Sequence, residues 1–191
     1  NYAKYADAVQ DMDRGVQRCL DALKEDGLYE DTIIIYNSDH GGVMARSKRF
    51  LYASGVHCPL VIRIPEKFKH LYPASSRGMT VDRLVSFVDM PKTWLSLAGA
   101  EIPHTFQGTV FLGKGTEPEP RYHVAFRERA DERLDHVRMI RDARYAYHKN
   151  YMPFAPAGHH LAYLWKAPAT AAWQQDHRAG QTTSATGRRS P

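Results

Sequence analysis

The chain has 191 residues, 43% of them apolar, and a formal net charge of +5 with a pI near 9.2. That is enough apolar material for a substantial core in one domain or one and a half, and no stretch approaches the roughly 18 apolar residues of a membrane span. The basic balance suits anionic ligands, whether sulfate, phosphate, polysaccharide or nucleic acid, without choosing among them.

The first residue is Asn1 and a helical pattern is already under way, so a fragment whose beginning is missing is expected, and no secretory signal opens it. Tyr5, Val9, Met12, Val16, Cys19 or Leu20, and Leu23 recur at spacings of three and four, which predicts an amphipathic helix covering a sheet and ending at Gly27. Cys19 on that face and Cys58 at the start of an apolar run read as small buried hydrophobes rather than a disulfide, which leaves the redox compartment open.

The stretch from Thr32 to Gly42 follows, where the apolar run Ile33-Ile34-Ile35-Tyr36 ends abruptly in Ser38-Asp39-His40-Gly41-Gly42. The run predicts a strand buried on both faces of a parallel sheet. Asp39 and His40 would then sit outside its carboxyl end, where open α/β sheets bind ligands. Neighbouring side chains on a strand point to opposite faces, so both can reach one ion only if the backbone turns there, which Gly41 and Gly42 permit. The plainer alternative is a turn in which Asp39 bonds its own backbone. Residues 41–57 read as a functional loop, and 58–64 as a second strand with Pro59 near its start and Pro65 as its stop.

Residues 84–88 suggest another short strand. Asp89 is expected to cap a helix with Pro91 in its first turn, Gly99 after its last, and Met90, Trp94, Leu95 and Ala98 on its inner face. Pro, Gly and Thr over 101–120 read as a linker into a smaller unit. There 121–126, 135–141 and 144–151 look like antiparallel strands, the last two a hairpin around Asp142-Ala143. A short helix is expected near 170–177, and 180–191 is expected to be disordered. His159 and His160, without a spaced third ligand, stay unassigned.

Lys48 lies eight residues after His40 in the expected loop. Taken with Ser38-Asp39-His40-Gly41, the run from Lys48 through Gly55-Val56-His57-Cys58-Pro59 resembles the second half of the type I sulfatases of the alkaline phosphatase superfamily. His57 stands where arginine is usual in the family, and Ala53-Ser54 where Glu-Gly is frequent. The first helix, the Gly27-Leu28 turn and the segment from Asp89 to Gly99 are also similar to sulfatase sequence, and Arg127–Asp135 and Tyr145–Pro153 look like bacterial heparan N-sulfatase-like members. For both of these segments a salt-bridged solvated surface is preferred to substrate contact.

The resemblance implies an α/β fold. Residues 1–104 would be the later part of an alkaline-phosphatase-like α/β/α sandwich, 105–165 a smaller carboxy-terminal antiparallel α+β subdomain, and 166–191 a tail. It implies Asp39 and His40 as metal ligands, Lys48 as the sulfate-binding catalytic cation, calcium as the metal with manganese second, and a sulfated carbohydrate substrate rather than nucleic acid. The family works through a formylglycine made within a Cys/Ser-x-Pro/Ala-x-Arg motif. Neither Cys19-Leu20-Asp21-Ala22-Leu23 nor Cys58-Pro59-Leu60-Val61-Ile62 fits that motif, so the nucleophile is expected on other sequence and the isolated chain is expected to be inactive. Family analogy implies a periplasmic or extracellular location. Two other readings compete: a phosphonate or phosphate ester hydrolase of the same superfamily, and a module binding acidic polymers through the alternating cations and aromatics of Arg144–Tyr151. Period-two alternation explains that last segment as an ordinary strand, and that explanation is preferred.

Overall fold

The computed structural model describes residues 2–44, 46–130, 132–155 and 160–181. His159 and nearly all of the tail expected to be disordered lie outside them.

The first helix, α1, spans Tyr2–Glu25 and stops where expected, with Gly27 at φ +69°. The Leu28 amide donates back to the Leu23 carbonyl, which closes the last turn. Val16, Leu20 and Leu23 are half-buried, whereas Tyr5, Val9 and Met12 are exposed. Cys19 is exposed and not buried as its face suggested. At about 100° per residue only one of two neighbours can point inward, and Leu20 takes that place.

Two strands follow, β1 (Ile34–Asn37) and β2 (Leu60–Arg63). They pair antiparallel, Ile34 opposite Arg63 and Asn37 opposite Leu60, which corrects the expected parallel pairing. The connection between them holds only a four-residue helix, α2 (Ala53–Val56), and its base is closed by the Gly41 amide donating to the Gly55 carbonyl at 3.0 Å. A connection pinched in this way returns the chain beside itself, whereas parallel strands need a crossover. Consistent with two strands alone, Ile34 to Tyr36 are half-buried and Asn37 is exposed.

No strand forms over 84–88. Helix α3 spans Asp89–Leu97 and Gly99 follows at φ +68°. Its inner face is Met90, Thr93, Trp94 and Leu97, a phase turned slightly from the expected one, with Ala98 exposed. Asp89 is buried and binds more than its own helix. Its Oδ2 accepts from the Ser86 amide at 2.7 Å and its Oδ1 from the Thr109 amide at 2.8 Å. These bonds draw in part of the stretch that reads as a linker. Val110, Phe111 and Leu112 are buried, and Phe111 and Leu112 form a core with Ile64, lined by Ile33, Ile62, Trp94 and Leu97. Glu117 fixes the segment, accepting from the Val110 amide at 2.6 Å and pairing with Lys92 Nζ at 2.8 Å. Three apolar residues amid Pro and Gly are too few to show a period.

The smaller unit is an antiparallel sheet in the order β3 (His123–Ala130), β4 (Arg133–Arg141), β5 (Ala146–Asn150), with the expected β4–β5 hairpin. Its register slips between Arg127 and Arg129, where Glu128 of β3 faces both His136 and Asp135 of β4, a bulge in β4. Two helices come last among the described residues, α4 (Ala162–Trp165) and α5 (Pro168–Arg178). Leu161 and Leu164 are buried against Phe50 of the β1–β2 connection, a second core beneath the loop where function was expected.

Candidate active site

Strand β1 delivers Asp39 and His40 into a turn, as the sequence suggests. Gly41 is required there by space. A Cβ on it would stand 1.8 Å from the Ser54 carbonyl oxygen. Gly55 faces the same limit, 2.2 Å from the Phe50 carbonyl oxygen and 2.3 Å from that of Ser47. Two glycines thus let backbone meet backbone at the base of the loop.

The turn brings Asp39 and His40 together. His40 Nε2 is 3.3 Å from Asp39 Oδ2, while its Nδ1 lies 2.7 Å from the Gly41 carbonyl oxygen and Ser38 Oγ donates to the His40 carbonyl at 2.7 Å. An Nδ1 proton given to that carbonyl leaves Nε2 as a lone-pair donor beside the carboxylate. Two adjacent ligands at about 2.3 Å from one divalent ion and at a right angle to each other stand roughly 3.3 Å apart, so this pair fits one edge of a coordination shell. Among the described residues no group of three His, Cys, Asp or Glu could complete a site. Burial and the Asp39 carboxylate both push the Cys58 thiol up from its ordinary range, which keeps it protonated and a poor nucleophile.

The loop beyond is caged by its own serines. Buried Ser47 donates from Oγ to the Ser54 carbonyl, and Ser54 Oγ donates to the Arg46 carbonyl, each at 2.6 Å. The Lys48 amide donates to the Gly42 carbonyl at 3.0 Å. Arg46 and Arg49 hold left-handed φ values of 60° and 76°, strain of order 1–3 kcal/mol each that packing must sustain, and such strain clusters at functional sites. Lys48 Nζ donates to the Tyr163 hydroxyl at 3.1 Å, and both Lys48 Nζ and the Arg49 guanidinium stand 4.8 Å from the Tyr163 ring centre. Tyr163 lies 115 positions from Lys48, on a helix of one turn, and no spacing in the sequence marks it.

A cleft of about 1500 Å³ opens beside this turn, walled in part by β2 and β3. Asp39, His40 and Arg49 line it, whereas Lys48 does not. Arg83, Arg127 and Arg141 also line it, against Asp39 and Glu128 as carboxylates, so the cleft favours anions. Arg127 and Asp135, in a segment where a solvated salt bridge was one expectation, are instead buried and pair at 2.9 Å.

A carboxylate and an imidazole converging at a strand end, beside a cleft lined by more cations than carboxylates, make an arrangement suited to anionic ligands. The Sulfatase family model matches residues 1–100, and the chain belongs to that family. It is 39% identical over 146 residues, 76% of its length, to an ulvan-active sulfatase of Formosa agariphila. It is 33% identical over 108 residues, 54% of its length, to an N-acetylglucosamine-6-O-sulfatase of Bacteroides thetaiotaomicron. It spans 23% and 18% of those two relatives. A structure solved in complex with its substrate D-glucosamine-2-N,6-O-disulfate superposes with a TM-score of 0.64 at 23% identity, covering 93% of this chain and 39% of the other, which establishes the shared fold. No helix among the described residues is long and apolar enough to cross a membrane.

Proposed function

We propose that this chain forms one side of a sulfatase active site that hydrolyses the sulfate ester or N-sulfate of a sulfated carbohydrate. The convergence of Asp39 Oδ2 and His40 Nε2 at 3.3 Å, at the end of a strand in a chain of the sulfatase family, carries the reading. Asp39 and His40 hold a divalent ion, calcium first and manganese second. A divalent ion held there would supply Lewis-acid stabilisation of developing negative charge. Lys48 contributes a compact positive charge toward the sulfate, and Tyr163 steadies it, since a fixed cation stabilises developing negative charge better than a mobile one.

Two relatives named for a sulfated polysaccharide and a sulfated amino sugar support a carbohydrate substrate. The nucleophile is a formylglycine contributed by sequence beyond these 191 residues, with the remaining metal ligands, so the isolated chain binds calcium weakly and releases no sulfate. In the complete protein, Asp39→Ala should weaken calcium binding and Lys48→Ala should depress sulfate release. Parental calcium affinity and turnover in both variants would refute the assignment.

A further inference from the structure

The small sheet turns its two faces to different surroundings. Side chains alternate along a strand, and the side carrying Arg127, Asp135, Met139 and His148 faces the loop between β1 and β2. There the Arg127 guanidinium stands 4.5 Å from the Phe50 ring centre, the His148 ring 6.2 Å from that of Tyr52, and Met139 is buried. The opposite side carries two cross-strand rungs, Val124–Ile140–Tyr147 and Phe126–Arg138–Lys149. Val124 is 75% exposed, Phe126 70%, Tyr147 65% and Ile140 41%, so nothing among the described residues covers them.

A single exposed apolar side chain is ordinary, whereas four in adjoining positions make a patch of the kind that marks an interface. An antiparallel sheet with one face in water normally keeps its polar residues on that face. Here the Arg127–Asp135 ion pair lies on the covered side and the aliphatic and aromatic side chains lie outside.

Size and charge choose the occupant. Three strands about 4.8 Å apart make a face about 14 Å wide, and about six residues at about 3.4 Å make it about 20 Å long, a plan area of about 300 Å². A stable dimer buries about 800 Å² on each partner, so a second copy seated on this face alone would not hold. A segment of the same polypeptide can hold with less, because tethering gives it a high effective concentration. The width suits one α-helix, about 10–12 Å across with its side chains. Arg138 is already joined to Glu128, while Lys149 Nζ rests 4.8 Å from the Tyr151 ring centre without a carboxylate partner among the described residues. The aliphatic rung of Val124 and Ile140 offers nothing to an acidic polysaccharide. The ulvan-active relative carries most of its length outside the 23% that this chain spans, ample sequence to supply a cover.

We propose that the outer face of the small sheet docks an amphipathic helix of the same polypeptide from beyond these 191 residues, with its apolar stripe on Val124, Phe126, Ile140 and Tyr147 and an acidic side chain toward Lys149. The inference rests on the reading of this chain as one side of a larger sulfatase, and uses neither its metal nor its substrate.

The test uses the complete protein and probes Tyr147, because β3 borders the cleft and β5 lies two strands away from it. With Tyr147 replaced by the photo-crosslinker p-benzoylphenylalanine, illumination should join position 147 to a peptide outside residues 1–191 that has apolar residues at helical spacing. The yield should not change over roughly a hundredfold dilution, as befits an intramolecular contact. In the unmodified protein, hydroxyl-radical oxidation of Tyr147 should be at least about tenfold slower than in the denatured chain, in step with its lost accessible surface. A product of twice the mass whose yield falls on dilution makes the occupant a second copy and overturns the proposal. So does the absence of any link to a peptide outside residues 1–191. Oxidation within about twofold of the denatured rate shows an open face and refutes it, and oxidation slowed only by added heparin refutes it in favour of a saccharide surface. If the complete protein releases no sulfate, the sulfatase reading falls, while the cross-link still decides the docking.

Discussion

Gly55→Ala tests the idea that the loop between β1 and β2 is held by backbone meeting backbone. The new methyl would stand 2.2 Å from the Phe50 carbonyl oxygen and 2.3 Å from the Ser47 carbonyl oxygen. Ordinary contact begins near 3.4 Å, so the chain must part by about 1.2 Å. Neither obstacle is the end of a flexible side chain, and movement on the Gly55 side strains the 3.0 Å bond from the Gly41 amide. Overpacking costs about 1–3 kcal/mol and a weakened backbone hydrogen bond about 1 kcal/mol more, for a loss of roughly 2–4 kcal/mol. Denaturant unfolding followed by tryptophan fluorescence measures it, since Trp94 and Trp165 each report one of the two cores. Because Lys48 lies between the two obstructing carbonyls, sulfate release by the complete protein should fall as well. A stability loss under about 0.5 kcal/mol with parental turnover would show that the loop relaxes freely and that the glycines are not what sets its shape.

Tyr163→Phe removes the acceptor of the Lys48 ammonium and keeps the ring, so kcat should fall severalfold with little change in melting temperature; parental kcat would dismiss Tyr163 as a positioning residue. Leu161→Ala empties a site with no solvent exposure and should cost about 2–5 kcal/mol, read as a lower denaturant midpoint. Lys92, the Val110 amide and burial act on Glu117, the first two holding its carboxyl below the usual glutamate range and burial opposing them. A depressed native pKa means its stabilisation is present above the ordinary glutamate range and is lost as pH falls through the native value. Glu117→Gln should therefore flatten the acid limb of the stability profile, and an unchanged limb would count against the role given to that carboxylate. Chelation of divalent ions should lower turnover of the complete protein, and Asp39→Asn should weaken calcium binding at least about tenfold; calorimetry that finds parental affinity would remove Asp39 from the ligand set.

Much of this architecture is legible in local signals. Gly27 and Gly99 end their helices at positive φ because those positions need a residue without a side chain, and the same property marks them in the sequence. The β4–β5 hairpin follows from alternation around Asp142, whose carboxylate accepts from the Arg144 and Tyr145 amides. What local signals miss is set by distant partners. The direction of β1 against β2 depends on where Gly41 meets Gly55, fourteen positions on. Val110 to Leu112 look like linker because their burial depends on Asp89 and Thr93, whose hydroxyl accepts from the Phe111 amide at 3.2 Å. At the site, Asp39, His40 and Lys48 stand close together in sequence and can be singled out there. Tyr163 cannot, and the burial of Arg127 is hidden inside a run of charges that reads as solvated surface.

The packing of Phe50 against Leu161 and Leu164 bears on how such proteins can be recombined. A chimera joined anywhere between the loop and α4 would pair one parent's Phe50 with another parent's floor, and the mismatch would fall directly beneath Lys48 and Arg49. Exchange of the carboxy-terminal unit to alter substrate choice therefore has to carry residues 46–55 with it, so that loop and floor are inherited as a single cassette.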